Sequence, residues 1–298
     1  MKPLIIGTRG SPLALAQVEL VSGYLHQAHP GLEIQRHIIK TSGDKFADVS
    51  LATAGGKGLF TKEIEDQLLA GTIDIAIHSL KDLPTALPPG LTLGAVPVRE
   101  DPRDVFISKT CRTVDDLPKG AYVASSSVRR RAQLLARRPD LHIEEIRGNV
   151  DTRIRKLRES ATLEATILAA AGLNRLNMWP NLTGLHCQKL ELDVMIPAVG
   201  QGAIGVECRE ADAETRRLLS AIEHADTRAC VEAERAFLRS LGGGCQVPFP
   251  AYARIVNGQL HLVGARFETE TRRGEVAGAP AAARELGERL ARQVKPFA

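Results

Sequence analysis

The sequence predicts two similar α/β domains with mostly parallel sheets, followed by a small C-terminal α+β domain. Strand and helix patterns alternate along the first two thirds of the chain, which is typical of a parallel sheet covered by helices. The last third changes to neighbouring helices and a hairpin pattern. The length of 298 residues suits about two or three domains.

The first α/β series begins at the amino terminus. Residues 4–8 predict a buried strand, and Ser11-Pro12 opens a helix to about residue 26, because proline is favoured at the first helical position. The elements that follow are a strand at 34–41, a helix at 58–69, a strand at 73–77 and an extended segment at 91–98. This order predicts a mostly parallel first sheet.

The second series repeats the pattern. Its predicted strands lie at 105–107, 122–124, 143–146 and 165–168, and its helices at 128–138 and 150–159. The apolar, glycine-rich segment 194–207 is expected to return the chain to the first sheet.

The last third predicts the small α+β domain. Asn257-Gly258 is the strongest short hairpin signal, and it separates extended segments at 252–256 and 259–263. Helices are predicted at 214–224, 229–239 and 281–294. We expect domain 1 at 1–98 and 198–218, domain 2 at 99–197 and domain 3 at 219–298.

The composition excludes several classes of protein. With 44% hydrophobic and 25% charged residues, the chain is neither collagen-like nor largely disordered. No apolar run approaches the roughly 18 residues of a membrane helix, and Arg9 comes too early for a signal peptide. Five widely spaced cysteines without a CxxC pair argue for a reducing compartment and against a metal cluster. We therefore expect a soluble, cytoplasmic protein without a metal or a membrane partner.

The basic residues are mostly arginine. Of the 39 basic residues, 28 are arginine and 11 are lysine, and the formal net charge is +4. Guanidinium groups bind carboxylate or phosphate in a bidentate manner, so the excess indicates either a polyanionic ligand or a genomic base bias. Aromatic residues make up only 4% and do not interleave with the basic stretches, which argues against a platform for single-stranded nucleic acid.

Three predicted strand-to-helix turns combine hydroxyl or amide groups with arginine. Arg9 lies beside Ser11, residues 125–131 read Ser-Ser-Ser-Val-Arg-Arg-Arg, and residues 147–153 begin Arg-Gly-Asn and end in arginine. Such side chains, together with free backbone N–H groups at a helix start, bind anions. One such turn alone would favour a capped, solvated helix, but three of them predict a cleft lined for carboxylates.

Two glycine-rich segments match nucleotide-binding motifs only weakly. Residues 55–58 (Gly-Gly-Lys-Gly) lack the spacing and the hydroxyl of a phosphate loop. Residues 200–205 match GxGxxG, yet no clear strand–helix–strand unit opens there. We interpret the second segment as a close-packed crossing strand or a hinge.

Two further positions could carry chemistry. Asp82 follows a predicted central strand and could be catalytic or could cap the loop, with neighbouring Lys81 favouring the ionised carboxylate. His78 in the same segment is more typical of a packed structural residue than of a ligand. Cys245 follows three glycines, which let a ligand approach closely. It could be a buried inert thiol, the attachment point of a prosthetic group, or the nucleophile of a Cys–His protease, which would need a positioned histidine.

Several short motifs occur in one order along nearly the whole chain, at 8–14, 55–60, 78–82, 99–104, 126–130, 147–150, 197–202 and 234–248. Together they resemble the porphobilinogen deaminase family. The resemblance implies that four porphobilinogen molecules are joined head to tail with loss of ammonia, giving the linear tetrapyrrole hydroxymethylbilane. It also implies a dipyrromethane cofactor bound to a cysteine by a thioether, and two domains like periplasmic binding proteins plus a small third domain.

The resemblance implies roles for individual residues. Asp82 matches the catalytic aspartate, whose carboxylate would stabilise positive charge near the pyrrole nitrogens. Each pyrrole ring carries an acetate and a propionate, which accounts for the arginine excess. The residues implied for the cofactor are Cys245, Lys81, Ser127, Arg129, Arg130, Arg147, Asp82, Gly244 and Gln201. Those implied for the substrate are Arg9, Ser11, Arg147, Arg153, Arg175 and Lys57.

Two residues differ from the family pattern, and three other functions are alternatives to this hypothesis. Thr53 stands where the family pattern has a lysine, and Gly242 replaces a common acidic residue. A solute-binding protein for a small carboxylate would share the cleft, but the expected absence of a signal peptide counts against it. A nucleic-acid-binding protein and a nicotinamide-dependent enzyme have weaker support. We expect a monomer whose partner is porphobilinogen, with no nucleic acid.

Overall fold

The computed structural model describes residues 2–45, 61–243, 247–268 and 270–295 of the chain. Contacts within the chain divide it into two compact units. The first unit is formed by Met1–Glu100 and Ala203–Arg228, and the second by Asp101–Gly202 and Ala229–Ala298. Each unit has its own five-stranded sheet, and the second also contains a three-stranded sheet.

Helices and strands alternate along most of the described chain. The strands are β1 (Leu4–Thr8), β2 (Ile34–Ile38), β3 (Ile75–Ser79), β4 (Leu91–Ala95), β5 (Asp104–Ser108), β6 (Tyr122–Ala124), β7 (His142–Glu144), β8 (Leu163–Ala169), β9 (His186–Lys189), β10 (Ile204–Arg209), β11 (Ala251–Val256), β12 (Gln259–Phe267) and β13 (Thr271–Gly278). The helices are α1 (Pro12–Ala28), α2 (Ser42–Lys45), α3 (Lys62–Leu69), α4 (Val128–Arg137), α5 (Val150–Glu159), α6 (Ala170–Arg175), α7 (Ala213–Ser220), α8 (Ala225–Ser240) and α9 (Ala283–Val294).

The five-stranded sheet of the first unit has the order β2-β1-β3-β10-β4. β1 is parallel to β2 and β3, whereas β10 is antiparallel to β3 and β4. β4 therefore points the same way as β3, and four of the five strands share one direction. Because β10 lies in this sheet, the expected return of the chain after residue 194 is confirmed.

Helices cover both faces of this sheet. α1 buries Val18, Val21 and Leu25 in one apolar cluster, and α3 buries Ile64 and Leu68 in another. Each fully buried side chain of this kind stabilises the fold by roughly 1.5–3 kcal/mol. Polar residues that follow the strands are thereby left at the sheet's edge, where open α/β sheets bind ligands.

The second unit has a sheet of the same design, with the order β7-β6-β8-β5-β9. β6 is parallel to β7 and β8, and β5 is antiparallel to β8 and β9. α5 contributes buried Ile154 and Leu157 to one cluster, and α4 contributes Leu134 to another. The sheet thus lies between two apolar layers, as in the first unit.

The C-terminal part of the second unit is a three-stranded antiparallel sheet, β11-β12-β13, packed on α8 and α9. Asn257 (φ 50°) and Gly258 (φ 75°) both adopt the left-handed conformation that a two-residue hairpin turn of type I′ requires. The predicted hairpin is therefore confirmed. Phe237 on α8 and Leu290 on α9 are fully buried in the shared core.

The predicted fold class, two α/β parts with mostly parallel sheets and a small α+β part, is confirmed. α5 has the predicted bounds, whereas the strand predicted at 34–41 ends at Ile38. The sequence did not predict α6, β9 or β13. The boundaries of the three expected domains stay a prediction. Among the described residues, no helix is long and apolar enough to cross a membrane.

Candidate active site

Asp82 lies in a small cavity of about 80 Å³ in the first unit. It ends the 3-10 turn Leu80–Asp82, which directly follows β3. Arg9 and Ser11 line the same cavity, because they follow the neighbouring parallel strand β1. The structure therefore brings together three of the residues that the sequence predicted for the site.

The start of α1 makes this cavity favourable for an anion. The Ser11 hydroxyl caps the helix by accepting from the Ala14 N–H at 3.3 Å, and the first turn contains no acidic residue. No acidic side chain in this turn therefore neutralises the positive end of the helix dipole. Arg9 adds a full positive charge beside it. Gln17 connects α1 to β3, since its Nε2 donates to the Ser79 hydroxyl at 2.9 Å.

A buried polar group lies next to the cavity. His78 Nε2 and Glu207 Oε2 are 3.1 Å apart, and both side chains are almost completely buried. Burial and the negative charge of Glu207 raise the pKa of Glu65 on α3, which is also buried. The sequence interpretation placed His78 in the core but missed both glutamates. The signal for Glu207 was a charged residue between apolar neighbours in the buried part of strand β10.

The second unit holds a buried carboxylate between two of the predicted arginines. Arg129 Nη1 donates to Asp104 Oδ2 at 2.7 Å, and Arg130 donates to Oδ1 from Nε at 3.0 Å and from Nη2 at 2.7 Å. Burial alone raises the pKa of a carboxyl, but the two guanidinium groups hold the pKa of Asp104 well below its usual range. Asp104 is fully buried, and each arginine is only 6% exposed.

Gln201 belongs to the same network. Its Nε2 donates to the Pro102 carbonyl at 2.6 Å and to Asp104 Oδ1 at 3.1 Å. Gly200 and Gly202, on either side, have φ of 71° and 86°, and the Gly200 N–H donates to the buried Glu234 carboxylate at 2.7 Å. The glycines of this motif therefore form a tight turn whose backbone is held by a buried acid.

The arginine pair has an internal partner that sequence reasoning missed. The sequence interpretation directed Arg129 and Arg130 towards a ligand, whereas the structure binds both to Asp104. The available signal was an aspartate at the start of the buried strand β5, preceded by Arg-Glu-Asp-Pro-Arg. Each of the two guanidinium groups makes three hydrogen bonds to protein atoms. An arginine carries five N–H donors.

Two of the predicted basic turns lie side by side in the second unit. The Ser126 hydroxyl donates to the Ile146 carbonyl at 2.7 Å and accepts from the Ile146 N–H at 3.0 Å. The adjacent Ser127 caps α4 by accepting from the Arg130 N–H at 3.4 Å. Arg147, which follows Ile146, is 20% exposed in its side chain and contacts Glu145 at 3.0 Å.

The other predicted site residues fall into two groups. Arg153 Nε donates to the Gly148 carbonyl at 2.8 Å, and Arg175 Nη2 donates to the Gly202 carbonyl at 2.7 Å. Lys81 precedes Asp82 in the 3-10 turn. The remaining positions lie outside the described residues, and they are Lys57, Gly244 and Cys245, together with Thr53.

Comparison with known proteins covers nearly the whole chain. Residues 4–217 match the family model "Porphobilinogen deaminase, dipyromethane cofactor binding domain", and residues 228–295 match "Porphobilinogen deaminase, C-terminal domain". The porphobilinogen deaminase of Syntrophobacter fumaroxidans is 50% identical over 285 residues, covering 95% of this chain and 91% of its own. That of Syntrophomonas wolfei is 48% identical over 297 residues, covering 99% and 95%.

Similar solved structures are much more distant. A YaeC-family lipoprotein of Enterococcus faecalis V583 aligns with a TM-score of 0.43 and 14% identity, covering 75% of this chain and 92% of its own. The GluR0 ligand-binding core complexed with L-glutamate aligns with a TM-score of 0.41 and 12% identity, covering 74% and 91%. At these values the likeness carries no argument about function.

Proposed function

The chain belongs to the porphobilinogen deaminase family, and from this premise we propose which of its residues carry out the reaction. The enzyme is a transferase of tetrapyrrole biosynthesis. It joins four porphobilinogen molecules head to tail into hydroxymethylbilane with release of ammonia, and it uses a dipyrromethane cofactor.

The position of Asp82 carries the proposal. Its carboxylate shares a cavity with Arg9 and with Ser11 at the start of α1, so one negative group lies among donors for anions. Arg9 and Ser11 would bind an acetate or propionate group of porphobilinogen through charge-assisted hydrogen bonds. The same ring would then present its pyrrole N–H to Asp82.

Each addition creates positive charge that Asp82 can stabilise. The C–N bond of the protonated aminomethyl group breaks, and ammonia leaves with the electron pair. Positive charge is then shared between the methylene carbon and the pyrrole nitrogen, where a fixed carboxylate lowers its energy. The free α-carbon of the preceding ring forms the new C–C bond. The C–H bond at that carbon then breaks, its electrons restore the aromatic ring, and a proton is released.

The donors in the described residues suit a cofactor that carries carboxylates. We propose Lys81, Ser127 and Arg147 as its ligands, on the positions that match the family's motifs. Arg129 and Arg130 remain proposed ligands through the N–H groups that have no hydrogen-bond partner among the described residues. When bound, the dipyrromethane supplies the ring that accepts the first porphobilinogen. Cys245 is proposed as the thioether attachment, with Gly244 beside it.

The location, oligomeric state, partners and domain division of the enzyme are proposed as well. We place the enzyme in the cytoplasm as a monomer, with porphobilinogen as its small-molecule partner and no nucleic acid. The low net charge of +4 supports the absence of a nucleic-acid partner, since binding to phosphates needs a large positive surface. The division into domains at 1–98 with 198–218, 99–197 and 219–298 is retained as a proposal.

Asp82→Asn tests the proposed role directly. The variant keeps the shape of the side chain but loses the negative charge, so we expect kcat for porphobilinogen to fall on the order of 10²-fold or more. Its intact mass should still include the cofactor. Asp226→Asn, an exposed aspartate in the first turn of α8 in the same unit, is the matched control and should keep the wild-type rate. Full activity of Asp82→Asn would rule out the proposed role.

A further inference from the structure

Three buried titratable side chains form a cluster next to the Asp82 cavity. They are Glu65 on α3, His78 on β3 and Glu207 on β10, with exposed fractions of 7%, 7% and 0%. His78 and Glu207 are in direct contact, with 3.1 Å between Nε2 and Oε2. None of the three has a role in the mechanism described above.

The register of the sheet places this cluster on one face. In the antiparallel pair of β3 and β10, His78 lies opposite Gly205 and Glu207 lies opposite Ala76. Side chains alternate along a strand, so His78 and Glu207 point to the same face. Ala76 packs with Ile64 and other residues of α3, so this is the face that α3 covers. Glu65 reaches the cluster from that helix.

The cluster lacks enough positive charge for two ionised carboxylates. Glu65 Oε1 and Glu207 Oε1 are buried without a hydrogen-bond partner in the part of the chain that the structure describes. With both glutamates ionised and the imidazole neutral, two negative charges would be held away from water, which is costly. One proton shared by the two carboxyl groups lowers that cost and leaves the cluster able to accept another.

The raised pKa of Glu65 agrees with a proton held on one of the carboxyl groups. Burial and the negative charge of Glu207 raise the pKa of Glu65, and the exposed Asp66 on the same helix acts in the same direction. The Thr61 hydroxyl and His78 lower this pKa, but the net direction is upward. The cluster therefore favours a protonated carboxyl group. The other charged groups facing His78 are Asp82 and Arg9, which line the cavity with it.

His78 connects the cluster to the site of reaction. It lines the Asp82 cavity while its Nε2 contacts Glu207. A carboxylate stabilises positive charge only while it is ionised, yet each ring-joining step releases a proton nearby. A proton left on Asp82 would remove the charge that stabilises the next addition, and a neighbouring acceptor can hold that proton until ammonia or water carries it away.

We propose that Glu65, His78 and Glu207 form a proton store that keeps Asp82 ionised between additions. This inference rests on the proposed function. The proton released from the ring carbon passes to the cluster through His78, and it leaves with water or with ammonia as ammonium before the next addition. The three residues act through Asp82 and are positioning residues for the reaction.

Glu65→Gln tests the proton store because it keeps the shape of the side chain but cannot take up a proton. We expect kcat to fall about 10²-fold near pH 6.5 and the loss to shrink as pH rises, since hydroxide then removes the proton. Glu214→Gln, an exposed glutamate on α7 of the same unit, makes the same chemical change away from the cluster and should keep the wild-type pH profile. A wild-type pH profile for Glu65→Gln, or a loss that is equal at every pH, would overturn the proposal.

A second measurement does not depend on activity or on a folded variant. Infrared difference spectra of the wild-type enzyme without substrate should show a protonated carboxyl group that titrates above the usual range of a glutamic acid. Absence of that band would overturn the proton store. The proposed function fails in a different way, because Asp82→Asn would then keep its rate at all pH values, whatever Glu65→Gln does.

Discussion

Replacing Arg130 with leucine should destabilise the second unit strongly. Arg130 makes two hydrogen bonds to Asp104 Oδ1, at 3.0 and 2.7 Å, and one to the Ile167 carbonyl at 2.8 Å. Leucine fills part of the volume but leaves the fully buried carboxylate with fewer partners. Removing one partner of a buried ion pair costs about 3–5 kcal/mol. Asp104 keeps Arg129 at 2.7 Å and Gln201 at 3.1 Å, so we expect about 3 kcal/mol.

The same substitution on the same helix provides the control. Arg137 on α4 pairs with Asp115 at 2.6 Å, but both side chains are largely in water, with exposed fractions of 40% and 57%. Exposed pairs contribute about 0.2–1 kcal/mol, so Arg137→Leu should have a small effect. Urea unfolding can be followed through Trp179, the one tryptophan of the chain, which lies in the second unit.

The pH dependence of the Arg130→Leu effect identifies its cause. The folded-state pKa of Asp104 is depressed, so its contribution to stability is present above the unfolded value of about 3.9 and is lost as pH falls towards the folded value. Without Arg130 that pKa rises, and the difference in unfolding free energy from wild type should narrow below about pH 4. A loss that is independent of pH, or no larger than that of Arg137→Leu, would refute the reasoning.

Two glycines and one arginine give further tests. Gly287→Ala places a Cβ 2.3 Å from the Ala233 carbonyl oxygen and should cost about 1–3 kcal/mol in urea unfolding. Gly23→Ala on α1, with nothing within 4 Å of the new Cβ, should instead stabilise by about 0.5–1 kcal/mol. Arg147→Leu should raise KM for porphobilinogen about 10-fold with little change in unfolding, because a charge-assisted bond is lost. An unchanged KM would remove Arg147 from the substrate site.

Local signals explain why much of the fold could be predicted. Ser11 and Pro12 set the start of α1, and Asn257-Gly258 set the hairpin, since each signal acts within a few residues. β13 was missed because it contains three charged residues and two glycines and buries only Val276, which is a weak strand pattern. β9 was missed because it is a short polar strand at the edge of its sheet.

In the candidate site, too, features with a local sequence signal could be predicted and features that depend on the tertiary fold could not. The position of Asp82 and Arg9 at one edge of the sheet could be predicted, because Arg9 directly follows β1 and Asp82 ends the short turn after β3. The partners of the buried charges could not be predicted. Asp104 and Arg130 are 26 positions apart, and His78 and Glu207 are 129 apart, so only the tertiary fold brings them together. A buried charge in a sequence predicts that a partner exists, but it does not identify that partner.

The intact mass of the purified protein tests the central claim most directly. Protein from cells that make porphobilinogen should carry a surplus equal to two linked pyrrole units. Cys245→Ser should lack this surplus, whereas Cys187→Ser, which changes an exposed cysteine, should retain it. An unmodified wild-type mass, or a surplus that persists in Cys245→Ser, would contradict the covalent attachment of the cofactor to Cys245.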